Sequence, residues 1–331
     1  MVIWDRLVTS LHRRAWQRVC LMKGAMRALS FWREKSDLLV FGSSILWGQG
    51  LLEEDKLHQR YRNWLEKEYG ERVRVQQFAH SGAFINHPEA GRHSRLHGEV
   101  PTPFPTVLEQ IARCRIKLRS KVRILIEGGI NDVGGARIVS PASTPEEIIR
   151  LTEESCYRGV KEMLAALARR FPEAEVYVPG YYQILVPRHL GWQGFHKIGE
   201  NQGVQLEKDL IDFDDRAVAN SRCFHLESEK GMKRAVKEAR EELGLDAFFV
   251  PSGFLPENGM FGNEVLLFSP WKKDPRIRER ARACTSALRS GRTGVHCYLA
   301  AAFHPDVRGV TRYLEAIVKA TRSRPFIEDR E

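Results

Sequence analysis

With 331 residues, 43% of them hydrophobic and 28% charged, the chain can bury a sizeable core, which excludes a mostly disordered protein. Its net charge of +10 is unevenly spread, because residues 1 to 36 carry eight basic side chains against two acidic ones. No run approaches the about 20 apolar residues that a bilayer-spanning helix requires, so no membrane span is expected.

The N-terminal segment, 1–36, sets Trp4, Leu7, Val8, Leu11, Ala15, Val19, Met22, Met26 and Leu29 at helical spacing. Two readings stand. A basic amphipathic helix with a tryptophan suits an anionic membrane surface; the plainer reading is a helix packed on its own domain or on a partner. Arginines interrupt every apolar stretch that could serve as a secretory signal, which favours the cytoplasm or its membrane face.

Asp37 to Phe41 is a short apolar run ending in Gly-Ser-Ser, the pattern of a buried strand entering a loop. Glu53 to Tyr69 places Leu57, Tyr61, Trp64 and Leu65 on one helical face and stops at Gly70. Val73 to Phe78 is the second strand, and the proline-containing stretch from Ala83 to Pro105 reads as an irregular loop. Val122 to Glu127 is the third strand. A long helix from about Pro145 to Arg170 follows, with Ile149, Cys156, Val160, Met163 and Leu167 on one face, then a fourth strand over Glu175 to Val178. After an irregular segment from Ile184 to about Ala219, a helix marked by Met232, Val236, Ala239 and Leu243 leads into a fifth strand, Ala247 to Val250. Val310 to Ala320 closes the chain as a helix.

Strands alternating with such helices need crossovers, and crossovers give a mostly parallel sheet. The expected fold is therefore an α/β class, three-layer α/β/α sandwich with a five-stranded sheet. The domain runs over 37–322, with insertions at about 184–220 and 251–290, and 323–331 is a tail. In such sheets ligands bind beyond the carboxyl ends of the strands, which is where chemistry should be sought.

At the end of the first strand stands Gly42-Ser43-Ser44, with Gly48 four residues after Ser44. A serine at the mouth of a parallel sheet, behind a glycine that permits a tight turn, has the placement of a nucleophile. Ser81-Gly82-Ala83 follows the second strand, and Gly128-Gly129-Ile130-Asn131-Asp132 the third. A glycine amide and an asparagine side chain there are donors suited to a developing oxyanion. Phe303-His304-Pro305-Asp306 precedes the last helix and supplies an imidazole. Taken singly, each of these stretches is also an ordinary turn.

Together and in this order, the four pieces resemble the sequence blocks of the SGNH/GDSL hydrolase superfamily, over about residues 37 to 320. The resemblance implies a flavodoxin-like hydrolase fold and a carboxylic ester hydrolase, an esterase or lipase of lipid metabolism, with catalytic residues Ser44 and His304. The oxyanion hole would consist of the Ser44 and Gly82 amides and the Asn131 side chain, and no metal or organic cofactor is needed. Val178-Pro179-Gly180-Tyr181-Tyr182-Gln183 resembles a stretch of lipase-like bacterial members, which makes Tyr181 and Tyr182 candidates for substrate binding. Two positions depart from the family pattern. Ser43 replaces the aspartate of Gly-Asp-Ser, and Ala301 stands where Asp-x-x-His has the carboxylate that orients the base. A Ser-His dyad oriented by a main-chain carbonyl, a substitute acid such as Asp132 or Asp306, or an inactive relative that binds a ligand would each account for Ala301. Carbohydrate O-acetyl ester cleavage uses the same machinery as lipase chemistry.

Phe195, Phe254, Phe261 and Trp271 could wall an acyl pocket or serve as insertion core. His87, His93 and His97 lack metal-ligand spacing. The basic excess lacks interleaved stacking aromatics, which argues against nucleic acid. Six cysteines at these spacings form neither a dense disulfide framework nor a zinc site, although Cys284 and Cys297 flank a loop and could pair.

Overall fold

The computed structural model describes residues 34–87, 97–117, 121–187, 210–269, 274–288, 297 and 299–323. The amphipathic stretch up to residue 33, His93, Phe195, Trp271 and the tail beyond residue 323 lie outside the described residues.

Five strands form one parallel sheet in the order β2-β1-β3-β4-β5: β1 (Glu34–Phe41), β2 (Arg72–Gln77), β3 (Lys121–Ile126), β4 (Glu175–Pro179) and β5 (Ala247–Val250). Leu38, Leu39, Val40 and Phe41 are fully buried, as a central parallel strand covered on both faces demands. β1 starts at Glu34, inside the segment read as N-terminal helix, because Ser36 already pairs with Val73 on one side and Lys121 on the other.

One layer holds α2 (Leu57–Tyr69) and the C-terminal helix α10 (Val307–Arg322), joined by the Tyr61 and Thr321 hydroxyls at 2.8 Å. The opposite layer holds α3 (Val107–Arg113), α6 (Pro145–Thr152), α7 (Val160–Arg170) and α8 (Leu210–Leu243). Shorter helices are α1 (Ser44–Trp47), α4 (Ile130–Val133) and α5 (Gly135–Ile138). Among the described residues no helix is long and apolar enough to cross a membrane.

Three further expectations change. Between α6 and α7 the chain is π-helical over Glu153–Gly159. That wider turn shifts the phase of the buried stripe, so Ile148 is buried and Ile149 is 41% exposed. The stretch expected to be irregular up to Ala219 is helical from Leu210. Just beyond that stretch the buried face is polar: Asn220 donates to the carbonyls of Ser140 and Ser143, and the Ser221 hydroxyl accepts from the amides of Ile184 and Leu185. The second insertion contains a helix, α9 (Ile277–Leu288), whose inward face carries the buried Arg280.

Candidate active site

The order β2-β1-β3-β4-β5 reverses direction between β1 and β3, and in doubly wound sheets the crevice at that reversal is where ligands bind. Ser44 follows β1, Gly82 follows β2 and Asn131 follows β3, so three of the four expected site residues are delivered to one end of the sheet by its own topology.

At the end of β1 the chain turns through Gly42, whose φ of 146° belongs to glycine; a Cβ there would come within 2.8 Å of the Glu127 carbonyl oxygen. The Gln110 side chain of α3 holds this turn from both sides, accepting from the Gly42 amide at 2.8 Å and donating to its carbonyl at 3.0 Å. Ser44 then opens α1, a single turn closed by Gly48 in the left-handed conformation.

His304 Nε2 lies 2.6 Å from Ser44 Oγ, and its Nδ1 lies 3.2 Å from the carbonyl oxygen of Ala302. A carbonyl can only accept, so Nδ1 carries the proton and Nε2 presents its lone pair to the serine hydroxyl. Burial lowers the imidazole pKa to about 4, and the nearby positive charge of Arg280 adds to this, against the opposing pull of the Ala302 carbonyl. At neutral pH His304 is therefore an uncharged base.

Among the described residues, nothing accepts from the backbone amides of Ser44 or Gly82. Gly82 has φ 79°, and a Cβ there would come 2.6 Å from the Thr102 amide nitrogen. Asn131 Nδ2 donates one hydrogen to the Ala83 carbonyl at 2.9 Å, which leaves its second hydrogen for another acceptor.

The two acids weighed as substitutes for the carboxylate absent at Ala301 are engaged elsewhere. Both oxygens of Asp132 stand 3.1 Å from the Ile85 amide, and burial pushes its pKa up to about 6. Asp306 caps α10, accepting from the amides of Arg308 and Gly309 at 2.9 and 3.0 Å. Ala301 itself is 1% exposed, and a Cβ on Gly50 would approach its methyl group to 2.7 Å, so this position has little room for a larger side chain.

Tyr181 and Tyr182 are placed beneath the site and do not line an open wall. Both are buried; the Tyr181 hydroxyl donates to Glu127 and accepts from the Ile130 amide, while the Tyr182 hydroxyl donates to the Phe303 carbonyl at 2.7 Å. Phe254 stacks on Tyr182 with ring centroids 4.6 Å apart and also meets Tyr313, so it belongs to the core. His87 packs edge-on against Phe84 and Phe104, and His97 against Trp47. Cys284 and Cys297 are paired, with Cα atoms 6.1 Å apart, within the span of a disulfide.

Sequence reasoning missed the polar residues that hold the loops around Ser44 and His304. Glu127 accepts from both the amide and the hydroxyl of Ser43. Glu99 accepts from the Trp47 indole, the Gln49 side chain and the Gly50 amide, and pairs with Arg280 at 2.6 Å. Arg280 also pairs with Asp274 and donates to the Cys297 carbonyl at 2.7 Å. The legible signal was Glu127 itself, an acid closing a strand of apolar and basic residues. Glu99 and Arg280 meet across 181 positions of sequence, and no local pattern announces such a pair.

No family model matches the chain, and no curated protein matches it. Among solved structures, an extracellular lipase from Streptomyces rimosus is similar at 14% identity and a TM-score of 0.47, covering 86% of this chain and 99% of that one. A phospholipase A1 from Streptomyces albidoflavus is similar at 12% identity and a TM-score of 0.44, with 86% and 99% covered. The esterase EstA from Pseudoalteromonas is similar at 10% identity and a TM-score of 0.35, with 87% and 97% covered.

Proposed function

We propose that this protein is a serine hydrolase that cleaves carboxylic esters, with Ser44 as nucleophile and His304 as general base. The observation that supports this reading above all others is the 2.6 Å contact between His304 Nε2 and Ser44 Oγ, made by residues 260 positions apart. The serine sits behind a glycine turn at the switch point of a parallel sheet.

Ser44 Oγ attacks the ester carbonyl carbon while its proton passes to His304 Nε2. The carbonyl electrons move onto oxygen, and the Ser44 amide, the Gly82 amide and the free hydrogen of Asn131 Nδ2 stabilise that charge. Collapse of the tetrahedral intermediate breaks the bond to the alkoxide, which takes the proton from His304. Water, activated by the same imidazole, then attacks the acyl-serine and releases the acid. The Ala302 carbonyl keeps His304 in the productive tautomer, so the pair works as a dyad.

A second reading, a scaffold that binds esters without turning them over, is favoured by one observation: His304 Nδ1 faces a neutral carbonyl at 3.2 Å, which stabilises an imidazolium less than a carboxylate would. Labelling with a fluorophosphonate separates the two. Wild-type protein is expected to label, and Ser44→Ala and His304→Ala to lose labelling by about 10³-fold or more while remaining folded. A folded wild type that never labels would leave the binding reading standing. A panel of p-nitrophenyl esters from acetate to palmitate, with an acetylated sugar alongside, then reads the acyl and leaving-group preference.

A further inference from the structure

The hydrolysis just outlined uses no part of Glu127, yet this carboxylate is buried directly behind the nucleophile. It is 1% exposed, and among the described residues it has no ion-pair partner. Its Oε1 accepts from the Ser43 amide at 2.6 Å and from the Ser43 hydroxyl at 2.8 Å. Its Oε2 accepts from the Tyr181 hydroxyl at 3.0 Å, and that hydroxyl accepts from the Ile130 amide at 3.2 Å. A continuous chain, Ser43–Glu127–Tyr181–Ile130, thus joins the residue before the nucleophile to the residue before Asn131.

The Ser43 amide, the Ser43 hydroxyl and the Tyr181 hydroxyl are all donors, so they specify an acceptor with both oxygens available. Gly42 keeps the space open, since a Cβ there would lie 2.9 Å from Glu127 Oε1. Such an arrangement is costly to leave incomplete: each buried donor that loses its acceptor carries a desolvation penalty, and satisfied networks in a low dielectric are stiff. Stiffness at this point matters because the backbone amide of Ser44 and the side chain of Asn131 must converge on one oxygen atom.

We propose that Glu127, through Ser43 on one side and Tyr181 on the other, is a positioning residue that sets the nucleophile turn and the Asn131 loop at a fixed separation. This rests on the hydrolase reading for its consequence, though the link itself is a property of the fold. Ser43 is a partner in the device, as its hydroxyl and amide share one carboxylate oxygen.

The full-length protein tests this with two variants, Glu127→Gln and Tyr181→Phe. The first keeps the size and one carbonyl but turns an NH2 toward the Tyr181 hydroxyl; the second deletes that hydroxyl alone. Misplacement of catalytic groups by fractions of an ångström lowers turnover without weakening binding, so kcat on p-nitrophenyl butyrate and the fluorophosphonate labelling rate are expected to fall by about 10- to 100-fold, with KM within about threefold. Because one chain carries the effect, the double variant is expected to be little worse than the poorer single one. Hydrogen exchange gives a readout independent of activity. Segments 42–47 and 128–133 should both exchange faster in Glu127→Gln, and 128–133 chiefly in Tyr181→Phe.

Variants that fold, label at the wild-type rate and leave both segments protected would overturn the proposal, as would a lowered Tm with unchanged labelling per folded molecule. If Glu127→Gln does not fold, Tyr181→Phe carries the same test. If folded wild type does not label, the hydrolase reading fails by itself, and exchange of the two segments still decides the link.

Discussion

Ser44 and His304 touch at 2.6 Å, but they are held by different kinds of structure. Ser44 and the loops that carry Gly82 and Asn131 hang on the ends of β1, β2 and β3, which are paired through the parallel ladder about the central strand β1. The histidine sits on no strand of the sheet. Its loop is fastened by a short antiparallel bridge, with the Phe268 amide donating to the His304 carbonyl and the Phe303 amide to the Phe268 carbonyl. Phe303 itself has φ 69°, a left-handed conformation unfavourable for an aromatic residue and held here by the Tyr182 hydroxyl. Further out, the segment is anchored by the buried Glu99–Arg280–Asp274 cluster. The strand-borne half inherits its placement from many cooperative contacts, whereas the histidine half depends on a few polar ones, so single substitutions should separate them.

The largest separation is expected at Arg280. Its side chain is fully buried between two carboxylates, and Arg280→Met leaves both uncompensated, a loss of about 3–5 kcal/mol. On the strand-borne half, removal of Arg74, which is 23% exposed against buried Asp37, is expected to cost less. Urea unfolding of both variants checks the ranking. Equal losses would break the contrast between the halves.

The pH dependence follows from the same asymmetry. With its pKa lowered to about 4 and no carboxylate against Nδ1, His304 is expected to give an acid limb of kcat/KM near pH 4, with activity flat above about pH 5. A limb near 6.5 or higher would mean that an acid orients the ring after all. In stability the sign is that of a base whose folded pKa lies below its unfolded value. The unfolded chain binds the proton first, so the contribution is fully present above about 6.5 and is lost as pH falls from there toward about 4. In any Arg280→Met protein that folds, the limb should move upward, since a positive charge near the ring is gone.

How much of this could be read from sequence divides along the same line. Gly42-Ser43-Ser44, Gly82 and Gly129-Ile130-Asn131 were legible because strand period and glycine turns are local signals, and the alternation of elements fixed the sheet that gathers them. His304 was legible as a residue type before the last helix, yet its orientation was not. Whether Asp132, Asp306 or a carbonyl faced Nδ1 depended on loop geometry, and the Ala302 carbonyl carries no side-chain identity to read. The helix from Leu210 carries polar Asn220 and Ser221 on its buried face, which interrupt its apolar period, and the π-helical turn moves the stripe from Ile149 to Ile148, because such a turn breaks the regular 3.6 period. Glu99 and Arg280 escaped because a buried ion pair is defined by distant partners.

Asp306 offers the smallest effect and the finest distinction. It lies two residues beyond His304, which made it a candidate acid, but its carboxylate spans the first amides of α10 and meets the Arg308 guanidinium at 3.3 Å. Loss of an N-terminal cap costs about 1 kcal/mol, so Asp306→Ala should lower Tm modestly. A carboxylate that oriented His304 would do more, because its removal would also shift the acid limb and reduce kcat by orders of magnitude. The expected result is the small stability loss alone, with the limb still near pH 4. A displaced limb in Asp306→Ala would move this carboxylate from the helix to the imidazole and make the histidine half a triad assembled from the downstream side.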